Sequence, residues 1–182
     1  TIWLHNAVRK CADYGIMVDI HDEYRPTGLS RTLPNLMTQE GIAGNETMPD
    51  ARHNTTLPFT RFLAGPADYT PCYFNNRVKA THGHQLAMPV VYYSPITFLY
   101  WYDTPQLYRG EKELDFWKHV PTTWDETYPI DGQIGEYVAI ARRSGQKWFV
   151  GVMNGMDART LSLPHGVPAT GEKEVCGDTL RG

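Results

Sequence analysis

The sequence has few cysteines, no long apolar run and no large excess of either charge. Cys11, Cys72 and Cys176 are far apart, without Cys-x-x-Cys or Cys/His spacing, which argues against a zinc site. Their odd number disfavours a disulfide framework. No run of 18 apolar residues is present, so no transmembrane helix is encoded. With 17 basic and 20 acidic residues the net charge is -3, and we expect no nucleic-acid partner.

A chain of 182 residues is long enough for one domain with a sizeable core or for parts of two domains. The sequence opens at Thr1 inside a helical pattern, without an initiator Met or a signal peptide. We therefore expect this chain to be a piece of a longer protein, whose targeting information is not visible here.

A helix followed by a short strand is predicted at the start of the chain. Before Gly15, apolar residues recur at helical spacing: Trp3, Leu4, Ala7, Val8, Cys11 and Ala12. The next run, Ile16 to Ile20, is apolar apart from Asp19 and is made of strand-forming residues. A helix that enters a buried strand through a glycine turn is typical of a parallel α/β unit.

Polar residues follow this strand directly. His21, Asp22 and Glu23 stand at its carboxyl end, where the active sites of α/β barrels lie. Strand alternation places His21 and Glu23 on one face and Asp22 on the other. Arg25 and Arg31 follow in the loop, either to hold carboxylates ionised and grip substrate hydroxyls, or as ordinary loop salt bridges.

A second, weaker strand is predicted over Leu33 to Gln39. It ends at Glu40, and Glu46 follows in a glycine-rich turn. Carboxylates at two successive strand ends converge on one cavity, because parallel strands end at the same edge of a sheet. Such a cavity supplies either a general acid and base pair or a cage for a hard cation.

Further along, a helix is predicted within His53 to Leu63, starting near Pro58. Asp68 to Pro71 is predicted to be another strand end. Asp68 and Tyr69 are weak site candidates there, and we favour a capping role for Asp68 and a packing role for Tyr69. Leu86 to Tyr93 fits a further helix. For Leu99 to Tyr102 we favour core packing over a sugar platform.

The last part of the chain has the residue pattern of β-strands joined by short turns. Gln133 to Arg143 and Lys147 to Val152, joined by a Ser-Gly turn, predict a hairpin, and Arg159 to Leu163 predicts a third strand. We predict two regions: residues 1–124 as part of a barrel, and residues 125–182 as the start of an antiparallel β-sandwich domain.

Several longer segments carry a family resemblance: HDEYRPTGLSRTLPNLMTQEGIAGNE, HNTTLPFTRFLAGPADYTP, HQLAMPVVYYSP, VPTTWDET and GEYVAIARRSGQKWFVG. On these segments the chain resembles glycoside hydrolase family 97, bacterial α-glucosidases and α-galactosidases with a (β/α)8 catalytic barrel. The resemblance implies an α/β fold made of a partial TIM-type barrel and part of the β-sandwich domain. It also implies a bacterial periplasmic or cell-surface location.

The resemblance implies roles for individual residues. Glu46 matches the general acid, Glu40 matches a calcium ligand, and His21 matches a substrate-contacting histidine. Asp22 falls where inverting members have a glutamate that is general base and calcium ligand, whereas retaining members have glycine there and use an aspartate on an earlier strand. A carboxylate at position 22 leads us to expect inversion. Alternation nominates Glu23 as the base and the resemblance nominates Asp22, which we slightly favour.

The leading hypothesis is thus a Ca²⁺-assisted α-glycosidase that acts on an oligosaccharide or α-glycoside. The alternatives are a catalytically silent sugar-binding relative and a calcium-stabilised structural piece. Half a barrel leaves open strand edges, so we expect the chain alone to be inactive and to fold poorly or self-associate.

Overall fold

The computed structural model describes residues 2–22 and 24–162, together with the backbone of residues 172–177. Its helices and strands, in chain order, are α1 (Ile2–Asp13), β1 (Val18–Ile20), β2 (Leu36–Gln39), α2 (Ala51–Thr56), α3 (His82–Val91), α4 (Asp115–His119), β3 (Glu126–Gln133), β4 (Tyr137–Ser144), β5 (Lys147–Asn154) and β6 (Glu172–Gly177). Several short 3-10 turns connect them. None of the helices described is both long and apolar enough to cross a membrane.

The amino-terminal part is the predicted parallel α/β unit. α1 leads through Gly15 into β1, and β1 pairs in parallel with β2, Val18 opposite Leu36 and Ile20 opposite Gln39. A parallel bridge from Gln39 to Ala67 adds a third segment in the same direction. The carboxyl ends of these segments therefore meet at one edge. Both strands are shorter than predicted.

Only some of the apolar residues that recur along α1 contribute to the core of this unit. Val8, Ile20 and Leu36 are buried together, and Val8 is the buried residue of α1. Trp3 is 78 % exposed and Ala12 is exposed as well. Leu4, Ala7, Val8 and Cys11 nevertheless share one buried or half-buried face of α1, whereas Trp3 and Ala12 face solvent.

The second helix begins earlier than predicted. Asp50 caps α2 by accepting a hydrogen bond from the backbone N–H of His53 at 2.8 Å. Pro58 lies instead in a 3-10 turn over Leu57–Phe59, beyond the end of α2. The capping aspartate was the stronger start signal, since it satisfies a backbone donor that would otherwise have no partner.

The carboxyl-terminal part is one sheet in the order β3-β4-β5-β6. The predicted hairpin of β4 and β5 is confirmed, with Gly145 at a φ of 58° in its turn. β3 pairs antiparallel with β4, whereas β6 is parallel to β5. Residues 159–162 form no strand, so the third strand predicted there is wrong over those residues, and Leu163 lies outside the described residues.

α3 covers one face of this sheet. Gly151 on β5 lets the helix come close, since a Cβ there would lie 2.8 Å from Val91 Cγ2 and 3.0 Å from Val90 Cβ. Met88, Val138 and Met153 are buried in the joint core. The described residues thus form a mixed α/β fold in which a helix, rather than a second sheet, packs on β4 and β5. The expected sandwich is not seen in this part of the chain, and the division at residues 124 and 125 stays a prediction.

Candidate active site

A cleft of about 570 Å³ opens at the carboxyl ends of β1 and β2. It is lined by most of the residues that the sequence nominated, namely His21, Asp22, Arg25, Glu40 and Glu46, together with the loop 41–47. Arg31 does not line the cleft and is exposed in the 3-10 turn Leu29–Arg31. Glu23 lies outside the described residues, and its candidacy as the base stays a prediction.

The parallel pairing brings the nominated residues together. Beyond the strands, the backbone N–H of Glu40 donates to the carbonyl of Ile20 at 2.9 Å, and the N–H of Gly41 donates to the carbonyl of Asp22 at 3.1 Å. These hydrogen bonds extend the β1–β2 ladder up to the cleft. The first carboxylate after β2 is therefore fixed opposite the polar residues after β1.

Arg61 binds the backbone at the carboxyl end of β2. Its guanidinium donates to backbone carbonyls on both sides, at distances from 3.0 to 3.3 Å: those of Gln39, Glu40, Gly41, Gly65 and Pro66. Burial lowers the pKa of Arg61 from its usual range. This arginine joins the end of β2 to the segment that leads to Asp68.

His21 stands at the centre of the carboxylates. Its Nε2 is 3.3 Å from Glu46 Oε1 and 3.9 Å from Glu40 Oε2, and its Nδ1 is 2.9 Å from Asp68 Oδ2. Burial acts to lower the pKa of His21, but the hydrogen bond to Asp68 and the charge of Glu40 outweigh it and raise the pKa. The imidazole therefore favours its charged form more than a free histidine does.

Two further carboxylates, those of Asp68 and Asp19, lie near His21 on the side away from Glu46. Asp68 is fully buried, and its other oxygen accepts the backbone N–H of Phe98 at 3.5 Å. Asp19 shares the His21 face of β1, and its pKa is raised to about 7 by burial first and then by the charge of Asp68. Asp68 thus contacts the site histidine, rather than capping a helix as the sequence led us to expect. The strand end predicted over Asp68 to Pro71 was the sequence signal for a site residue here.

Glu46 is gripped from the same segment. Thr70 Oγ1 donates to Glu46 Oε2 at 2.9 Å, and the backbone N–H of Asn45 donates to Thr70 Oγ1 at 3.2 Å. Sequence reasoning did not nominate Thr70. A threonine carries no signal of this role until the third parallel segment is placed beside β2.

Aromatic residues after α3 approach the site. The ring of Trp101 lies 4.8 Å from the ring of His21, and its backbone N–H donates to the carbonyl of Pro71. Leu99 packs against the buried cluster around Tyr73, as core packing requires. Trp101 itself is 38 % exposed, so it forms a wall beside the histidine rather than part of a core.

The cleft chemistry suits a hard cation. Burial raises the pKa of Glu40; the charge of His21 lowers it, and the charges of Glu46, Asp68 and Asp22 raise it further. Donor atoms of His21, Glu40 and Glu46 lie within 4.8 Å of one another. Oxygen ligands are those that Ca²⁺ takes, and a divalent cation relieves the mutual repulsion of crowded carboxylates. The carboxylate oxygens in this cleft are therefore the kind of donor that a hard cation takes.

Two family models match the chain. A model described as glycoside hydrolase 97 matches residues 2–42, and one described as the glycosyl-hydrolase 97 C-terminal, oligomerisation region matches residues 123–175. Together they span the two ends of the described chain.

Curated relatives match over most of this chain. A protein of Bacteroides thetaiotaomicron named retaining alpha-galactosidase is 35% identical over 90% of the chain and 28% of its own length. A probable retaining alpha-galactosidase of Streptomyces bingchenggensis is also 35% identical, over 89% of the chain and 26% of its own length. The chain thus spans little more than a quarter of these relatives.

Solved structures agree in fold. A glycoside hydrolase family 97 enzyme from a Pseudoalteromonas species, in complex with acarbose, gives a TM-score of 0.77 at 32% identity, covering 87% of this chain and 27% of that one. A beta-arabinopyranosidase gives a TM-score of 0.73 at 30% identity, covering 81% and 26%.

The expectation of inversion was wrong. It depended on the carboxylate at position 22, but both curated relatives are named retaining enzymes. The stereochemical outcome follows from the separation of two carboxyl groups across the sugar, which a single residue type does not encode. In the structure Asp22 is exposed at the rim of the cleft, beside the carboxylates that suit a cation.

Proposed function

Because the chain belongs to glycoside hydrolase family 97, we propose that the protein containing it hydrolyses α-galactosidic bonds with retention of configuration. The observation that carries this proposal is the Glu46 carboxylate in the cleft, with one oxygen held by Thr70 and the other 3.3 Å from His21. The curated relatives named retaining alpha-galactosidases support the substrate class and the stereochemistry. The solved complex with acarbose supports an oligosaccharide as the kind of ligand.

In this proposal Glu46 is the general acid and base. It protonates the glycosidic oxygen in the first step and removes a proton from water in the second, as one carboxyl group does in retaining glycosidases. His21 and Arg25 line the cleft and contact the substrate hydroxyls. The resemblance places the nucleophilic aspartate on a strand earlier than those described. Arg31 lies outside the cleft, and its role as a substrate contact stays a prediction.

Calcium is part of the proposal. Glu40 and Asp22 would hold the ion, and the bound ion would supply positive charge beside the substrate and the acid. Calorimetric titration with CaCl₂ tests this assignment. We expect binding to the wild type and much weaker binding to Glu40→Gln, and equal binding to both would remove Glu40 as a ligand.

The fold proposal is a partial (β/α)8 barrel over residues 1–124, followed by the start of a C-terminal β domain over residues 125–182. The in-order parallel alignment of β1, β2 and Ala67 supports consecutive barrel strands. The match of residues 123–175 to a region named for oligomerisation supports self-association. A bacterial periplasmic or cell-surface location rests on the resemblance alone.

The test of the function is Glu46→Gln in the protein that contains this chain. Because glutamine cannot deliver the proton, we expect kcat/KM for an α-galactosyl disaccharide to fall by about 10²–10⁴-fold. Nuclear magnetic resonance of the first product should show α-galactose in the wild type. Glu126→Gln, on β3 and away from the cleft, is the matched control.

Unchanged cleavage by Glu46→Gln would remove this residue from its role. Sugar binding measured by calorimetry, without any hydrolysis by the wild type, would favour a catalytically silent relative. A first product with inverted configuration would contradict retention.

A further inference from the structure

We propose that Thr70 is the positioning residue of the acid: its hydroxyl holds Glu46 Oε2 and so fixes the orientation of the carboxyl group that delivers the proton. This inference rests on the proposed function, because it assigns a role within that reaction. It adds a residue that neither the sequence patterns nor the comparisons nominate.

The direction of the hydrogen bond is set by a second partner. Thr70 Oγ1 accepts the backbone N–H of Asn45 at 3.2 Å, so its own hydrogen is free to point at Glu46 Oε2, 2.9 Å away. A hydroxyl that donates to a carboxyl oxygen leaves the other oxygen as the site of protonation. Asn45 and Glu46 are adjacent, so one side chain fixes both the loop backbone and the acid on it.

The other oxygen of Glu46 faces the site histidine. Glu46 Oε1 is buried, lies 3.3 Å from His21 Nε2, and belongs to a residue that lines the cleft. Among the described residues it receives no hydrogen bond of good geometry. The two oxygens therefore have different surroundings: Thr70 holds Oε2, and Oε1 lies beside His21.

The backbone of Thr70 is strained in favour of this contact. Its φ is 66°, and the residue is fully buried. A β-branched residue in the left-handed region is a true outlier, which persists only where the surrounding structure enforces it. A glycine or asparagine would meet the backbone requirement more easily, and neither supplies this hydroxyl.

Gly44 provides the space for the contact. A Cβ at position 44 would lie 2.6 Å from Glu46 Oε2 and 2.9 Å from Thr70 Oγ1. Both distances are shorter than real Cβ contacts, so any larger residue would push the donor and acceptor apart. The hydrogen bond between Thr70 and Glu46 therefore requires a glycine at position 44.

A buried polar network holds the segment on its other side. Tyr69 O–H donates to Asn54 Oδ1 at 2.6 Å, and Asn45 Nδ2 donates to Gln85 Oε1 at 2.9 Å. All four residues are almost completely buried. Because α2 anchors Tyr69 and α3 anchors Asn45, the neighbours of Thr70 and of Glu46 are both held in place.

The experiment compares two substrates that differ in their need for an acid, using the full protein. Melibiose needs its leaving oxygen protonated, whereas α-galactosyl fluoride does not. For Thr70→Val, which keeps the shape and loses the hydroxyl, we expect kcat/KM for melibiose to fall about 10–100-fold while that for the fluoride stays within about twofold. Thr70→Ser should restore most of the melibiose activity.

Other outcomes overturn the inference. If Thr70→Val loses both substrates equally, or if it cleaves melibiose like the wild type, Thr70 does not position the acid. If the valine variant does not fold, Thr70→Gly, which relieves the positive φ, must show the same selective loss. A wild type that cleaves neither substrate refutes the proposed function, and the inference with it; an active wild type with an unaffected valine variant refutes the inference alone.

Discussion

His21 is bound on one side by the cleft carboxylates and on the other by buried Asp68. Its two nitrogens therefore face acids of different surroundings, Glu46 toward the substrate side and Asp68 toward the interior. The interior carboxylate fixes the ring orientation, since Nδ1 has a partner that solvent cannot replace. The charge of the ring then depends on a residue that the substrate does not touch.

Asp19 makes the stability of the fold depend on pH. Its pKa in the folded chain is about 7, against an ordinary value of 3.8, because of burial and the nearby Asp68. Below pH 3.8 it is protonated in both states and does not penalise folding. As the pH rises to about 7, the unfolded chain ionises first, and the stability contributed by the bound proton is lost.

We therefore expect Asp19→Asn to unfold at a higher temperature than the wild type at pH 8 and at nearly the same temperature at pH 4. Thermal unfolding followed by circular dichroism, without added calcium, measures the difference. Asp13→Asn, an exposed position at the end of α1, is the control. A difference between Asp19→Asn and the wild type that does not grow with pH would contradict the assignment.

At the scale of elements, the end of β2 depends on Arg61. Five backbone carbonyls accept from its guanidinium, and they come from both the loop after β2 and the segment before Asp68. A lysine has one charged nitrogen and cannot reach acceptors on both sides, because its donors diverge from a single atom.

For Arg61→Lys we expect the free energy of unfolding to fall by about 2–4 kcal/mol, since several charge-assisted hydrogen bonds are lost and buried carbonyls remain without donors. Urea unfolding measures it. Arg31→Lys, in an exposed turn, should stay within about 0.5 kcal/mol of the wild type. Equal effects in the two variants would show that the carbonyl contacts contribute nothing.

What could be predicted from the sequence follows from local signals. The α1–β1 unit and the β4–β5 hairpin have apolar periodicity and glycine turns, so both were found. β3 was missed because Pro129, Asp131 and Gly132 resemble a linker, although an edge strand tolerates them. Asp68 could be named only as a weak site candidate and Thr70 not at all, because their partners His21 and Glu46 lie 47 and 24 residues away.

At the scale of the whole molecule, large apolar side chains are exposed near the amino terminus. Five of them lie on α1 or just before β1: Ile2, Trp3, Tyr14, Ile16 and Met17. Exposed apolar surface of this kind favours association, and the outer edge of β1 pairs with no other strand of the described residues.

We therefore expect the 182-residue chain, produced alone, to elute from gel filtration as oligomers or aggregates at micromolar concentration. Trp3→Glu should shift light-scattering masses toward the monomer if this surface drives association. If association persists unchanged in Trp3→Glu, the C-terminal sheet is the contact instead. A cooperatively unfolding monomer of the wild-type chain would contradict the expectation.

Gly44 limits which substitutions the site can accept during evolution. Because any Cβ there would collide with the hydrogen bond between Thr70 and Glu46, every missense change at this codon damages the acid. Ile42 also lines the cleft, and its side chain packs against a hydrophobic cluster that other apolar residues could also contact. Descendants that acquire a new sugar preference should therefore vary at position 42 and keep glycine at position 44.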